Sequence, residues 1–236
     1  MILDSFKLSN LIVQLEYPSA FELWDEAGSI ARRISGIWQG LEHTSGQPDQ
    51  QTLAGPNVNI QTGFNVSTIS LSGGKGFDRG RVQQIKETFD VWRQSLLLGD
   101  IKRISTRATY TRDFLSIKEA NAALFALKLV RIPAVKVFDQ PMDSDRNSVE
   151  VLYRFQDEQS FSVLRLKAEE VKYEVTLSSE FFDESEIRET KYRMIIDLDR
   201  GVLGSVNAEK FRIDDWLKGF QHVLHRDLDK VIKGEE

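Results

Sequence analysis

Cysteine is absent from the sequence. That absence excludes disulfides, thiolate nucleophiles and thiolate metal sites together. Histidine is nearly absent, with only His43, His222 and His225, and no H-E-x-x-H pattern for zinc occurs. No run of about 18 apolar residues exists, so no transmembrane helix and no membrane partner are expected. The N-terminal stretch MILDSFKLSNLIVQLEYP has an acid at Asp4 and only a short apolar run. It lacks the basic start and long apolar centre of a signal peptide, and a cytoplasmic address is expected. Nucleotide fingerprints are missing as well. In GGKGFDRGR (residues 73–81) the Gly-Lys pair comes early with no Ser or Thr after it, and G-x-G-x-x-G does not occur. No cofactor is implied.

What remains is an ordinary globular composition. The chain has 236 residues, 41% hydrophobic and 28% charged. At that length roughly 70% of the unfolded surface can be buried, so no covalent or metal staple is needed. Net charge is −5 overall but uneven: residues 1–133 carry +2 and residues 134–236 carry −7. These two segments are the expected halves, tightly docked or sharing one sheet, because no low-complexity linker separates them.

Hydrophobic spacing predicts the elements. Leu11, Val13, Leu15 and Tyr17 alternate with polar neighbours and read as a strand closed by Pro18. Ser19 and Glu22 fit a capping box for a helix over about 20–42. Residues 44–56, with Pro and Gly punctuation, read as a polar loop. Val58, Ile60, Thr62, Phe64 and Val66 alternate, then Ile69 and Leu71 do so in the other phase, which predicts two strands or one with a bulge. Val82, Ile85, Phe89, Trp92 and Leu96 predict a second helix, roughly 80–98, closed by Gly99. The β-branched run 101–112 reads as a strand. The first half is therefore βαββαβ, a ferredoxin-like order, and the fold class is α+β.

A third helix is expected over 117–130, then a loop at 139–148. Strands are expected at 149–156, 161–168, 170–178 and 190–199, with an acidic hairpin loop at 181–189 anchored by Phe181 and Phe182. Short polar connections fit an antiparallel meander. Trp216, Phe220, Val223, Leu224, Leu228 and Val231 give the final helix its apolar face.

The strongest chemical signal is local positive charge. Residues 73–112 have a net charge of +5. The candidate anion- or nucleic-acid-binding set is Lys75, Arg79, Arg81, Lys102, Arg103, Arg107 and Arg112. On a strand, Arg103 and Arg107 share one face with Ser105 and Thr109. Guanidinium forks suit phosphate or carboxylate, and the helix start after the Gly-rich loop offers unpaired amides to an anion. The plainer alternative is a solvated face, salt-bridged to the acidic second half.

Other groups carry weaker signals. Asp197 and Asp199 fall on one strand face, where paired carboxylates can hold Mg²⁺ or act as acid and base. Polar outward positions give the same pattern. His222, His225 and Asp229 share a helix face, and His43 fits a helix C-terminus. Trp24, Trp38, Trp92 and Trp216 sit at apolar helix positions and are expected in the core.

Three segments, LIVQLEYP, IKRISTRATY and YRMIIDLDRG with WLKGFQHVLHRDLDKVI, resemble a sporadically distributed family of bacterial proteins of unknown function. The resemblance implies a bacterial cytoplasmic protein and lends no catalytic residues. The function expected is a non-enzymatic interaction or binding module, an accessory of a bacterial defence or regulatory complex. Its expected partner is another protein, with a homo-oligomer also open. The alternatives are an RNA- or DNA-binding protein using the basic strand and Gly-rich loop, and a metal-dependent hydrolase.

Overall fold

The computed structural model describes residues 2–74, 77–129, 136–137, 140–141, 149–179 and 182–233. After a 3₁₀ turn at Ile2–Ser5, the first half runs β1 (Lys7–Glu16), α1 (Leu23–Ile37), β2 (Glu42–Gln47), β3 (Gln50–Gly55), β4 (Val58–Gly63), β5 (Val66–Ser72), α2 (Arg79–Ser95) and β6 (Asp100–Phe114). There follow α3 (Ile117–Ala126), a two-residue pair β7 (Lys136–Val137) and β8 (Gln140–Pro141), β9 (Glu150–Gln156), β10 (Ser160–Ser179), β11 (Phe182–Asn207) and α4 (Ile213–Lys233).

Nine strands form one sheet in the order β2-β3-β4-β5-β1-β6-β11-β10-β9. Every pairing in it is antiparallel. The α+β class and the C-terminal helix are as the sequence predicts, but the sheet is larger. The first half supplies six strands instead of the four of a βαββαβ unit. The extra pair is the segment read as a polar loop: β2 and β3 make a hairpin that continues the sheet beyond β4. Backbone pairing onto an existing edge overrides the weak strand propensity of Gly, Gln and Ser there.

Strand lengths differ from expectation for a related reason. The strands expected at 161–168 and 170–178 are one strand, β10. The segment 181–189, expected to be a hairpin loop, lies mostly in β11, which pairs with β10 from Ser160↔Val202 to Ser179↔Phe182. An acidic sequence tolerates this because an antiparallel ladder is held by backbone hydrogen bonds. The loop expected at 139–148 falls almost wholly outside the described residues.

The core lies on one side of the sheet. Leu11, Val13 and Leu15 of β1, Ile60 of β4, Ile69 of β5 and Ile104 and Ala108 of β6 are all buried there. Against them pack Ile30 and Ile34 of α1, Ile85, Phe89 and Trp92 of α2, and Leu217, Phe220 and Leu224 of α4. Three indoles fix this layer by donating to threonine hydroxyls. Trp38 reaches Thr88 on α2 at 2.8 Å, Trp92 reaches Thr62 on β4 at 2.8 Å, and Trp216 reaches Thr106 on β6 at 2.9 Å. Each ties an apolar body to a buried polar partner, which a buried indole N–H requires. Tyr17 does likewise: its hydroxyl donates to the Gly63 carbonyl and meets Ser67, both at 2.6 Å. Burial raises the Tyr17 hydroxyl well above its usual range.

Helix ends moved as well. The Ser19–Glu22 capping box does not form; Glu22 is the N-cap and makes no side-chain cap bond. α1 stops at Ile37, so His43 is not at a helix end but exposed on β2. Asp78 caps α2, accepting from the Arg81 amide at 2.9 Å, and Ser116 caps α3 through Glu119.

Candidate functional site

Register determines which of the predicted basic residues can act together. β6 lies between β1 and β11. Arg103 is opposite Glu16 on β1, and Arg107 is opposite Asp199 on β11. Ile104, Thr106 and Ala108 face the helix layer, so Arg103, Ser105, Arg107 and Thr109 occupy the face opposite α1, α2 and α4. Arg79 and Arg81 belong to α2, on the helix side of the sheet. Arg79 is exposed, and the Arg81 guanidinium lies 5.5 Å from the Trp38 ring. Lys102 is exposed. Arg112 donates to Ser5 at 3.4 Å and stacks over Phe114. Lys75 lies outside the described residues. The start of α2 supplies its own anion in the Asp78 carboxylate.

The sheet face around Arg107 is a compact charge network. Arg107 donates from Nε and Nη2 to both oxygens of Asp197, at 2.6 to 3.1 Å. Thr109 donates to Asp197 Oδ1 at 3.0 Å, and Arg165 Nη1 stands 3.9 Å from Oδ2. The Asp197 side chain is only 7% exposed, while that of Arg107 is 44% exposed. Hydrogen bonding to Asp197 holds Arg107 charged beyond even the usual guanidinium range. Arg103 pairs with Glu16 at 3.2 Å, and its guanidinium sits 4.8 Å above the Phe161 ring.

Phe161 is seated by Gly201, its cross-strand partner. A Cβ at Gly201 would meet the Phe161 ring and would stand 2.7 Å from the Ile104 carbonyl oxygen, a backbone atom that cannot swing aside. Glycine is needed here for close approach of the ring. Gly201→Ala is expected to cost about 1–3 kcal/mol from overpacking. It should also displace the Arg103–Phe161 stack, which shows as altered ring-current shifts in the NMR spectrum.

Asp199, two residues from Asp197, has a different environment. Burial pushes its carboxyl above the ordinary aspartate range, against the pull of Arg103 and Arg107, and the Asp197 charge adds to the rise. An acid whose folded pKa is raised favours the fold when protonated. Its contribution is present below the unfolded pKa and is lost as pH rises through the folded value. Asp199→Asn is therefore expected to raise Tm at neutral pH and to change nothing in acid below the usual aspartate range. Thermal melts at the two pH values test this.

The histidines do not gather. His222 is exposed. His225, with Lys7, Leu8, Gly73 and Tyr110, lines a cavity of about 640 Å³, where burial pushes the Tyr110 hydroxyl up to about 12. Among the described residues no three His, Asp or Glu side chains converge as metal ligands.

A second surface escaped the sequence reading. Trp24, expected in the core, is 59% exposed, and Phe21 is 60% exposed. With Phe64 they form one cluster: Phe21 meets both others edge-on at 5.4 and 4.9 Å, and Trp24 stacks on Phe64 at 5.7 Å. The backbone beneath is pinned. Phe64 N–H donates to the Asp49 carbonyl, and Ala20 N–H donates to the Phe64 carbonyl, each at 2.8 Å. Glu22, Asp25 and Glu26 flank the cluster without ion pairs among the described residues; at the start of α1 their charge suits the helix dipole. Trp24 lies in the first turn of α1, off the buried stripe formed by Leu23, Ile30 and Ile34.

No protein-family model matches the chain, and no curated protein matches it. No helix among the described residues is long and apolar enough to cross a membrane.

Proposed function

We propose that this chain is a non-enzymatic interaction module that binds another protein through the Phe21–Trp24–Phe64 surface. One observation carries the reading: two large aromatic side chains, each more than half exposed, are held in a fixed cluster outside the core. Aromatic residues are the usual energetic centres of protein interfaces, and a pinned backbone lowers the ordering cost of binding. The cytoplasmic setting and the accessory role in a bacterial defence or regulatory complex, implied by the family resemblance, belong to the same proposal. We further infer a ferredoxin-like first half with β2–β3 inserted, which the neighbour order β4-β5-β1-β6 supports.

Co-purification from the encoding organism tests the binding reading. The wild-type chain is expected to retain a stoichiometric partner that Phe21→Ser with Trp24→Ser loses, at unchanged melting temperature. A chain that emerges alone in both forms overturns it.

A nucleic-acid reading of the opposite sheet face has one observation in its favour. Arg103 over Phe161 combines a cation with an aromatic platform, the pairing that single-strand binders use. It predicts affinity for single-stranded RNA or DNA that falls steeply with salt. Reversing Arg103 and Arg107 to Glu should abolish it, and unchanged affinity removes this reading. Asp197 already engages Arg107 and Thr109 through both oxygens, so no observation favours a metal-dependent hydrolase.

A further inference from the structure

The two outer strands of the sheet are built differently. β2 is polar throughout and fully exposed, its pairing with β3 shifts register between His43 and Ser45, and Pro48 follows it. Bulges, polar residues and proline are the ordinary devices that keep an edge from pairing with another chain. β9 has neither a bulge nor a proline, and its polar residues alternate with large apolar ones. Its sequence EVLYRFQ contains no Gly, Pro or Lys, its pairing with β10 is regular over seven residues, and Leu152 and Phe155 are 39% and 51% exposed. Among the described residues nothing pairs with its outer side.

We propose that two copies of this chain associate by antiparallel pairing of β9 with β9 about a two-fold axis through Leu152. The sequence is self-complementary in that register. Glu150 falls opposite Arg154 of the second copy and Arg154 opposite its Glu150, on the face that also carries Leu152. On the other face Val151 meets Tyr153 of the second copy and Val149 meets its Phe155. Opposite charges and apolar pairs set directly across an antiparallel ladder are the stabilising arrangement. A two-fold contact requires this self-matching.

Both charges are available. Arg154 makes no ion pair among the described residues. Glu150 is ion-paired with Arg165, whose Nε stands 2.7 Å from its carboxylate, yet 49% of its side chain stays exposed. A shift of one residue would put every β9 side chain on the wrong face, and centring on Tyr153 would set Arg154 against Leu152. The Leu152 axis alone gives two opposite-charge pairs. This surface is at the far edge of the sheet from the β2–β3 hairpin, so the inference is independent of the aromatic cluster. A dimer would present two such clusters at its outer ends and gain avidity for a divalent target.

Light scattering after size exclusion, over a concentration series, tests it. The wild-type chain is expected to be a dimer. Glu150→Arg and Arg154→Glu each place like charges opposite one another twice per interface. Each is expected to weaken the dimer by more than about tenfold and to elute as a folded monomer by circular dichroism. Arg154→Glu disturbs no internal ion pair, so it serves if Glu150→Arg harms the fold. Mixing the two single variants restores both opposite-charge pairs and is expected to return a heterodimer. A monomeric wild type overturns the proposal. So does a dimer indifferent to both reversals, or a mixture that stays monomeric.

Discussion

Trp92→Ala is expected to lower the unfolding free energy by about 4 kcal/mol, measured by urea titration as a fall in midpoint at constant slope. Trp92 is fully buried between α2 and the sheet. Its loss leaves a cavity lined by well-packed neighbours and leaves the buried Thr62 hydroxyl without its indole donor. The first effect is the usual cost of removing a buried tryptophan. The second adds about 1 kcal/mol for an orphaned polar group. A domain of this kind has about 5–15 kcal/mol in total, so the variant approaches the threshold of folding. The matching change at the exposed cluster behaves differently: Trp24→Ala is expected to stay within about 0.5 kcal/mol of wild type. If Trp24→Ala proved as costly as Trp92→Ala, the aromatic cluster would be framework and its assignment as a docking surface would fall.

Those two tryptophans also mark how far periodicity can be read. Both sit among apolar residues at helical spacing. For Trp92 the stripe is long, from Val82 to Leu96, and the buried side is unambiguous. Trp24 stands in the first turn of α1, where spacing has too few residues behind it to give a direction. The same limit explains His43: α1 ends at Ile37, but Trp38 and Leu41 keep the helical spacing going past the true end. The alternating residues of β1, β4, β5, β6 and β11 were legible because each strand has one side in the core. β2 was illegible because all of it is exposed, so no alternation exists to be seen. Its strand character comes from pairing with β3, a tertiary effect.

The charged site was legible in part for a similar reason. Alternation alone puts Arg103 with Arg107 and Asp197 with Asp199 on strand faces. Nothing in the sequence aligns β6 beside β11, and that register brings Asp197 to Arg107 across 90 positions. Nor does any local pattern announce Gly201 as the seat for Phe161, since the two meet only through the β10–β11 ladder. Long-range register converts a basic stretch into a paired network, and a count of charges along the chain cannot see it.

Arg107→Ala is expected to cost about 3 kcal/mol at neutral pH by the same titration, because it orphans a carboxylate that is almost fully buried. The cost stays near the low end of the range for broken buried pairs. Thr109 still donates to Asp197, and Arg165 stands close enough to move in. Asp197→Ala is expected to cost less, about 1 kcal/mol, since the stranded Arg107 is already 44% exposed and turns to water. The asymmetry places the cost in the buried carboxylate and not in the pair as such. Replacing both together, Arg107→Met with Asp197→Leu, should then recover most of the loss. That double variant separates framework from function. It keeps the fold while deleting the guanidinium, so a sheet face that binds nucleic acid through Arg107 must lose affinity in it. Unchanged binding in a fully folded double variant would make the Arg107–Asp197 pair a means of holding β6 against β11 and nothing more.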